Sequence, residues 1–264
     1  MKKYFGDYHV HSSFSPDSKE AIENIFNKAK ESLLSEICLT EHISMNENDS
    51  SYDYLKYNNY IEEVNKYNGQ ESSELSIKIG LEVGEGHRYI KEVGEYIKDK
   101  DIDFIIGSLH RIDDIGIIGY LEMYDIKKVY EDYFKELYEV ADKSEYDVLG
   151  HLDLVQRYAW NKYGRYEYKN YEDLIDCILK RVIERGKGIE INTSILKNRK
   201  EYMPKSEIVR RYRELGGKII TVGSDAHSFE RVGEGISIAY DFLKESGFKY
   251  ISRYDKRKCY FETL

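Results

Sequence analysis

Residues 7–18 read DYHVHSSFSPDS, so that two histidines stand at the end of a short apolar segment that runs into a polar turn. Alternate residues of a β-strand point to the same face, and His9 and His11 therefore project their imidazoles to one side. Neutral imidazole is a common ligand of zinc and related metals. An exposed edge strand that carries two histidines would show the same pattern, so the rest of the chain has to decide between these interpretations.

Six further segments share this organisation, an apolar run that ends in polar residues. They read EICLTEH (36–42), IKIGLEVGE (77–85), DFIIGSLH (103–110), DVLGHLDL (147–154), GIEINTS (188–194) and KIITVGSDAH (218–227). Amphipathic helical patterns lie between them, most clearly over 20–34, 126–143, 171–186 and 206–217. Strands that alternate with helices predict βαβ units and a parallel sheet. Seven such strands predict an α/β fold, a seven-stranded (β/α)7 TIM-like barrel.

The composition fits a single barrel domain over residues 1–264, since this length is normal for an α/β barrel and 41% of the residues are hydrophobic. The net charge of −9 argues against nucleic acid as a partner, whereas a small anionic substrate needs only a local positive site. The three cysteines form no CxxC pair, so the sequence indicates neither a disulfide framework nor a thiolate zinc site. We find no apolar run long enough for a membrane and expect a cytoplasmic protein without a membrane partner. The sequence does not predict the oligomeric state.

Histidines collect at the ends of the predicted strands. Six of the seven lie there: His9, His11, His42, His110, His151 and His227. Carboxylates accompany them: Asp17, Glu41, Glu82, Asp153, Glu190 and Asp225. The carboxyl ends of parallel barrel strands meet at one mouth, where active sites lie. Because clustered like charges would repel each other, we expect this mouth to hold two or three divalent metal ions.

The segment after the second strand, residues 44–59, reads SMNENDSSYDYLKYNN. It is polar and has the character of a loop. Two interpretations stay open at this point, a lid over the site and a solvated connection between the second strand and the next helix.

Taken in order, the motifs HxH, EH, GLE, GSLH, GHLD and SDAH resemble those of the PHP (polymerase and histidinol phosphatase) superfamily. The resemblance runs from residue 7 to residue 227. The stretches DYHVHSSFSPDS, GSLHRID and DVLGHLDLVQRY are most similar to the monofunctional histidinol-phosphatase branch. This resemblance implies a distorted seven-stranded barrel with a metal site at the C-terminal ends of its strands.

The resemblance also implies a ligand set for zinc, manganese or iron. The first ion would be held by His9, His11, Glu82 and Asp225, the second by Glu82, His110 and His151, and the third by Asp17, His42 and His227. Glu82, Asp225 and His227 are the candidate catalytic residues, with Glu82 bridging two ions and Asp225 or a histidine relaying a proton. Arg157 and Arg199 are candidates for the phosphate contact. Glu41 is a candidate for substrate binding or for orienting a metal ligand.

The function implied is that of a metal-dependent phosphomonoesterase that hydrolyses L-histidinol phosphate to L-histidinol and phosphate in L-histidine biosynthesis. Clustered cations suit this chemistry because they neutralise the phosphoryl oxygens and activate water. The sequence contains neither a GxSxG motif nor a P-loop, which disfavours acyl transfer and nucleotide hydrolysis. Two alternatives remain: a PHP phosphoesterase acting on phosphotyrosine or nucleotide phosphates, and a non-catalytic metal-binding regulatory barrel.

Overall fold

The computed structural model describes residues 4–68 and 75–264, and a seven-stranded parallel sheet forms its centre. The strands are β1 Gly6–Val10, β2 Glu36–Ile43, β3 Ser76–Gly84, β4 Phe104–Ser108, β5 Arg111–Ile112, β6 Ile115–Gly116, β7 Val148–Leu149, β8 Gly188–Asn192, β9 Ile220–Gly223, β10 Tyr250–Asp255 and β11 Lys258–Thr263. The α-helices are α1 Ile22–Glu31, α2 Tyr57–Asn65, α3 Ile90–Ile97, α4 Ile117–Met123, α5 Ile126–Lys143, α6 Val155–Tyr163, α7 Glu172–Glu184, α8 Leu196–Arg199, α9 Ser206–Glu214 and α10 Ile236–Glu245.

The strand order is β1-β2-β3-β4-β7-β8-β9, so neighbours in the sheet follow one another along the chain. The sheet closes where the chain beyond β9 meets β1. A parallel bridge joins Val10 to Ala226, the Asp225 N–H donates to the His9 carbonyl at 2.8 Å, and the His11 N–H donates to the Ala226 carbonyl at 2.9 Å. The predicted seven-stranded α/β barrel is therefore confirmed, and this closure brings the ends of β1 and β9 together.

Helices cover the outside of the barrel, which is why its strands read as nearly continuous apolar runs. The helix predicted over 126–143 coincides with α5, whose Asp125 side chain caps it by accepting from the Lys128 N–H at 3.1 Å. Gly186 and Gly216 follow α7 and α9 with φ of +67° and +94°, conformations that glycine adopts without strain. No helix within residues 4–68 or 75–264 is long and apolar enough to cross a membrane.

An antiparallel hairpin formed by β10 and β11, which the sequence did not predict, packs against the N-terminal end of the barrel. The Tyr254 side chain joins a buried apolar cluster with Tyr8 and Phe104, and the Tyr254 N–H donates to the Tyr8 hydroxyl at 2.8 Å. At the hairpin turn, the Arg257 Nε donates to Asp147 at 2.5 Å. The hairpin thus covers the end of the barrel opposite to the histidine-rich mouth.

Candidate metal centre

The carboxylate of Glu82, near the end of β3, lies at the centre of the histidine cluster and is 1% exposed. Its two oxygens are 2.9–3.3 Å from ring nitrogens of five histidines: His9, His11, His42, His110 and His151. Oε2 faces His9, His11 and His42, whereas Oε1 faces the other two. This division is the one that a carboxylate bridging two cations requires.

Asp225 enters the cluster from the loop after β9. Its Oδ1 is 3.7 Å from the Nε2 atoms of both His9 and His11 and 3.5 Å from Nδ1 of His227. The residue has a φ of +55°, a left-handed conformation that aspartate tolerates better than most residues. The sharp turn allows Asp225 and His227 to approach the histidines of β1.

Asp17 completes the cluster on its solvent side and is 52% exposed. Its Oδ2 is 3.1 Å from Nε2 of His227 and 3.3 Å from Nε2 of His42. All nine predicted metal ligands therefore lie in one cluster at the C-terminal ends of the strands. Their assignment to individual ions stays a prediction.

The spacing of the donor atoms fits metal ions. The Nε2 atoms of His9 and His11 are 3.1 Å apart, a distance at which two lone pairs repel each other unless a proton or a cation lies between them. Ligands at about 2.1 Å in tetrahedral geometry are about 3.4 Å apart, close to the separations found here. Four groups of three donors could each hold an ion: His11–His42–His227, His9–His11–Asp225, His9–Glu82–His151 and His42–Glu82–His110.

The electrostatics of the cluster keep its buried carboxylates ionised. Burial alone would raise the pKa of Glu82, but imidazoles, first among them His9 and His42, hold that pKa well below its usual range. Burial acts in the same sense on Asp225, and again His9 and His227 outweigh it and depress the pKa of the carboxyl. Ionised carboxylates and imidazole nitrogens in one cavity form a donor set that divalent transition metals prefer.

Glu190, in β8, orients two of the histidines from behind. Its Oε1 is 2.6 Å from Nδ1 of His9, and its Oε2 accepts the His151 backbone N–H at 2.8 Å. An ionised carboxylate only accepts hydrogen bonds, so Nδ1 of His9 carries a proton, and Nε2 is the nitrogen that faces the cluster and would bind a metal. Glu190 was counted from the sequence among the acids that accompany the histidines, but this orienting role was not predicted, although an acid between Ile189 and Ile191 in a buried strand was the available signal.

Glu41 supports the cluster in a similar way. Its carboxylate is fully buried and accepts the hydroxyls of Ser12 and Ser15, each at 2.6 Å. Because Ser15 gives its only hydroxyl proton to Glu41, its Oγ must accept from Nδ1 of His11, 3.2 Å away. His11 is thereby set with Nε2 free for a metal, and burial together with the neighbouring His42 lowers its pKa well below the usual value. Glu41 thus orients His11 from outside the cavity and is not among the residues that line it, so its predicted role in substrate binding finds no support here.

A cavity of about 240 Å³ opens over the cluster. Its wall includes Asp49, Ser50 and Ser51, which belong to the 44–59 segment, together with Arg157 and Tyr158 of α6. The segment thus forms part of the site wall. Arg157 is half-buried, and its Nη1 donates to Oδ2 of Asp225 at 3.0 Å. A guanidinium at this place can bind a phosphate oxygen next to the metal ligands.

The second predicted phosphate contact, Arg199, is not brought to this cavity. The residue ends α8, where its Nη2 donates to the Asn161 side chain at 2.5 Å and its guanidinium lies 5.4 Å from the ring centre of Trp160. These contacts with α6 direct the side chain away from the cluster. In this structure Arg157 is therefore the one arginine that lines the cavity among the described residues.

Comparisons with known proteins agree with this geometry. The model of the PHP domain matches residues 7–194. The histidinol-phosphatase of Lactococcus lactis subsp. lactis is 32% identical over 98% of this chain and 96% of its own length. A probable histidinol-phosphatase of Clostridium acetobutylicum is 33% identical over 92% of this chain and 94% of its own length. A crystal structure of the Lactococcus lactis histidinol phosphate phosphatase, with zinc, L-histidinol and phosphate, superposes with a TM-score of 0.89 at 30% identity and covers 97% of this chain and 98% of that one.

Proposed function

Since the chain belongs to the PHP domain family, we propose that it is a histidinol-phosphatase, a metal-dependent enzyme that hydrolyses L-histidinol phosphate to L-histidinol and phosphate in histidine biosynthesis. The observation that carries the proposal is that the nine predicted metal ligands form one cluster, over which a small cavity lined by Arg157 opens. The near full-length similarity to histidinol-phosphatases directs the choice of substrate. The same proposal includes that the partner of the protein is a small phosphate monoester and that the protein acts in the cytoplasm.

We propose that the cluster holds two or three divalent ions, zinc being supported by the similar crystal structure and manganese and iron by the donor types. Bound ions would supply charge neutralisation of the phosphoryl oxygens and a water of lowered pKa. The donor groups already face one another, so ion binding would require little reorganisation of the side chains. Glu82 is the residue whose two oxygens would link neighbouring ions.

The remaining roles belong to side chains of this chain. Arg157 would move from Oδ2 of Asp225 to a phosphate oxygen or share its fork between both, since a guanidinium carries five N–H donors. Asp225 is ionised at neutral pH because of its depressed pKa, so its oxygens can accept a hydrogen bond from the attacking water and orient it. Nδ1 of His227 lies 3.0 Å from the Asp225 carbonyl and 3.5 Å from its Oδ1, so this imidazole would hold Asp225 in the orientation that the water needs while Nε2 remains for the metal.

The test is phosphate release by protein loaded with zinc or manganese, with L-histidinol phosphate, phosphotyrosine, AMP and p-nitrophenyl phosphate as substrates. We expect kcat/KM for L-histidinol phosphate to exceed the other three by at least two orders of magnitude. Similar weak rates on all four would reject the substrate and retain a phosphoesterase. Full metal loading without turnover of any of them would favour the non-catalytic metal-binding barrel.

A further inference from the structure

We propose that Asp49 is a specificity-determining residue that binds the positively charged amine of the substrate on the leaving-group side of the cavity. The inference rests on the proposed function and extends it, because it names the group that separates an amino-alcohol phosphate from other phosphate monoesters. Of the acids that line the cavity in the described part of the chain, Asp49 is the one outside the metal cluster.

The carboxylate of Asp49 forms a long ion pair with Arg111 but, within the described residues, accepts no hydrogen bond from a cation. Its Oδ1 accepts the Ser51 backbone N–H at 2.9 Å. Its Oδ2 is 3.8 Å from Nη1 of Arg111, beyond hydrogen-bonding distance, and that guanidinium already donates to the Asp114 carbonyl through Nε at 3.0 Å. The Asp49 side chain is only 19% exposed. A carboxylate this far from bulk water is stabilised by a cation that binds directly to it, and a substrate amine can be that cation.

The backbone around Asp49 is fixed before any ligand binds. The Asp49 N–H donates to the Asn46 carbonyl at 2.9 Å, and the Tyr52 N–H donates to the Asp49 carbonyl at 3.0 Å. A parallel bridge joins Ser44 to Tyr52. These bonds hold residues 44–52 as a compact loop, so binding an amine at Asp49 would cost little ordering of the chain.

Asp49 and Arg157 approach the cavity from different sides. Arg157 belongs to α6 and pairs with Asp225 beyond β9, whereas Asp49 follows β2 and lies next to Arg111, which directly follows His110. A substrate whose phosphate lies over the cluster beside Arg157 could extend its leaving group toward the part of the wall that carries Asp49. In L-histidinol phosphate the ammonium is on the carbon adjacent to the CH2–O–P group. That separation suits a phosphate at the metal ligands and an ammonium at a wall carboxylate.

The experiment compares two substrates in two variants. L-histidinol phosphate and its deamino analogue, 3-(imidazol-4-yl)propyl phosphate, differ only in the amine. Asp49→Asn retains the shape of the side chain and an oxygen for the Ser51 N–H but removes the charge. Asp53→Asn is the matched control, since Asp53 belongs to the same segment and is 80% exposed. Metal content is measured for each protein.

We expect Asp49→Asn to lower kcat/KM for L-histidinol phosphate by about 10- to 100-fold, the loss of one charge-assisted hydrogen bond, with the deamino analogue and the metal content unchanged. Asp53→Asn should change neither substrate. Equal losses on both substrates, or no loss on either, would overturn the inference. If wild-type protein does not prefer L-histidinol phosphate, the proposed function fails, but the role of Asp49 can still be tested with phosphoethanolamine and ethyl phosphate. A fall in kcat/KM for phosphoethanolamine alone in Asp49→Asn would support that role. Equal changes for both substrates, or no change, would reject it.

Discussion

Replacing Glu190 by glutamine tests whether the carboxylate behind the cluster sets the metal affinity. Glu190 accepts from Nδ1 of His9 at 2.6 Å on one oxygen, and on the other from the His151 N–H at 2.8 Å and, more weakly, from the Asn192 side chain at 3.4 Å. A glutamine of the same shape has only one acceptor oxygen. If that oxygen accepts the hydrogen bond from the His151 N–H, the amide NH2 faces Nδ1 of His9. The His9 proton must then move to Nε2, where it blocks metal binding. If the oxygen instead accepts the hydrogen bond from Nδ1 of His9, the amide NH2 and the His151 N–H are two donors that face each other.

The magnitude follows from this conflict. One buried donor or acceptor is left without a partner, at a cost of about 1–3 kcal/mol. Carboxylates that orient metal-bound histidines typically contribute about 10- to 100-fold in metal affinity, which is about 1.4–2.7 kcal/mol and therefore agrees. We expect Glu190→Gln to weaken zinc binding by that factor, and to recover much of the wild-type kcat when zinc is in excess.

The assay is a zinc competition titration against a chelator of known affinity, with metal content and phosphate release measured in parallel. Glu36→Gln is the matched control, because Glu36 is equally buried but accepts tyrosine hydroxyls, among them that of Tyr4 at 2.9 Å, at the start of β2. The control should lose stability without losing zinc affinity. Wild-type zinc affinity in Glu190→Gln, or an equal fall in both variants, would refute the reasoning.

Three further outcomes are expected. Arg157→Ala should raise KM for phosphate esters by about 10- to 100-fold, while Arg199→Ala, whose side chain lies outside the cavity, should leave steady-state kinetics unchanged. Burial lowers the pKa of His110, but the neighbouring Glu82 outweighs this effect and raises the pKa to about 9, above the unfolded value of 6.5. The ion pair of His110 with Glu82 should therefore stabilise metal-free protein fully below pH 6.5, and this stabilisation should be lost as the pH rises through 9. Urea unfolding of chelator-treated protein at pH 6.5 and above pH 9 measures the difference. Arg257→Ala should lower the free energy of unfolding by about 3 kcal/mol without changing kcat, because Asp147, 6% exposed, then keeps a buried charge without its partner. An unchanged KM in Arg157→Ala would contradict the first prediction, and a free energy of unfolding that does not vary between the two pH values would contradict the second. An unfolding midpoint in Arg257→Ala equal to that of the wild type would contradict the third.

The metal cluster was predictable because one rule brings together the six histidines, Glu82 and Asp225, whereas Asp17, in the loop after β1, was implied by the family resemblance. Parallel strands all end at the same mouth of a barrel, so polar residues that follow apolar runs must meet there. His9 and Glu82 are far apart in sequence, yet their side-chain atoms are 3.1 Å apart. No knowledge of packing between helices is needed for this inference, and the periodicity of the strands is enough.

The positions of Glu41 and Arg199 needed information that strand ends do not carry. Glu41 and His42 are adjacent in β2 and therefore point to opposite faces, so the histidine that faces the cluster directs the acid away from it. This alternation was visible in the sequence. The direction of Arg199, by contrast, depends on Asn161 and Trp160 in another helix, and long side chains at helix ends take their orientation from such tertiary neighbours.

The β10–β11 hairpin escaped prediction because its turn lacks the usual residues. Asp255 pairs with Lys258, which leaves a two-residue turn at Lys256 and Arg257 with φ of +47° and +63°. Turns with both central residues at positive φ are normally built from asparagine, aspartate or glycine. Here Asp103 accepts both turn N–H groups. The Asp103 carboxylate accepts from the Lys256 N–H at 3.0 Å, and the Asp103 carbonyl accepts from the Arg257 N–H at 2.9 Å. The barrel thus stabilises a turn that the local sequence does not favour.

The same hairpin has a consequence for how the protein folds during synthesis. The hydrogen bond from Tyr254 to Tyr8 joins residues 246 positions apart, and the apolar cluster around Tyr8 and Phe104 is covered only when Tyr254 is in place. Contacts of such large sequence separation form late and slow folding. Nascent chains from which the β10–β11 hairpin has not yet emerged therefore expose this apolar end of the barrel, to which a chaperone that recognises apolar segments would bind.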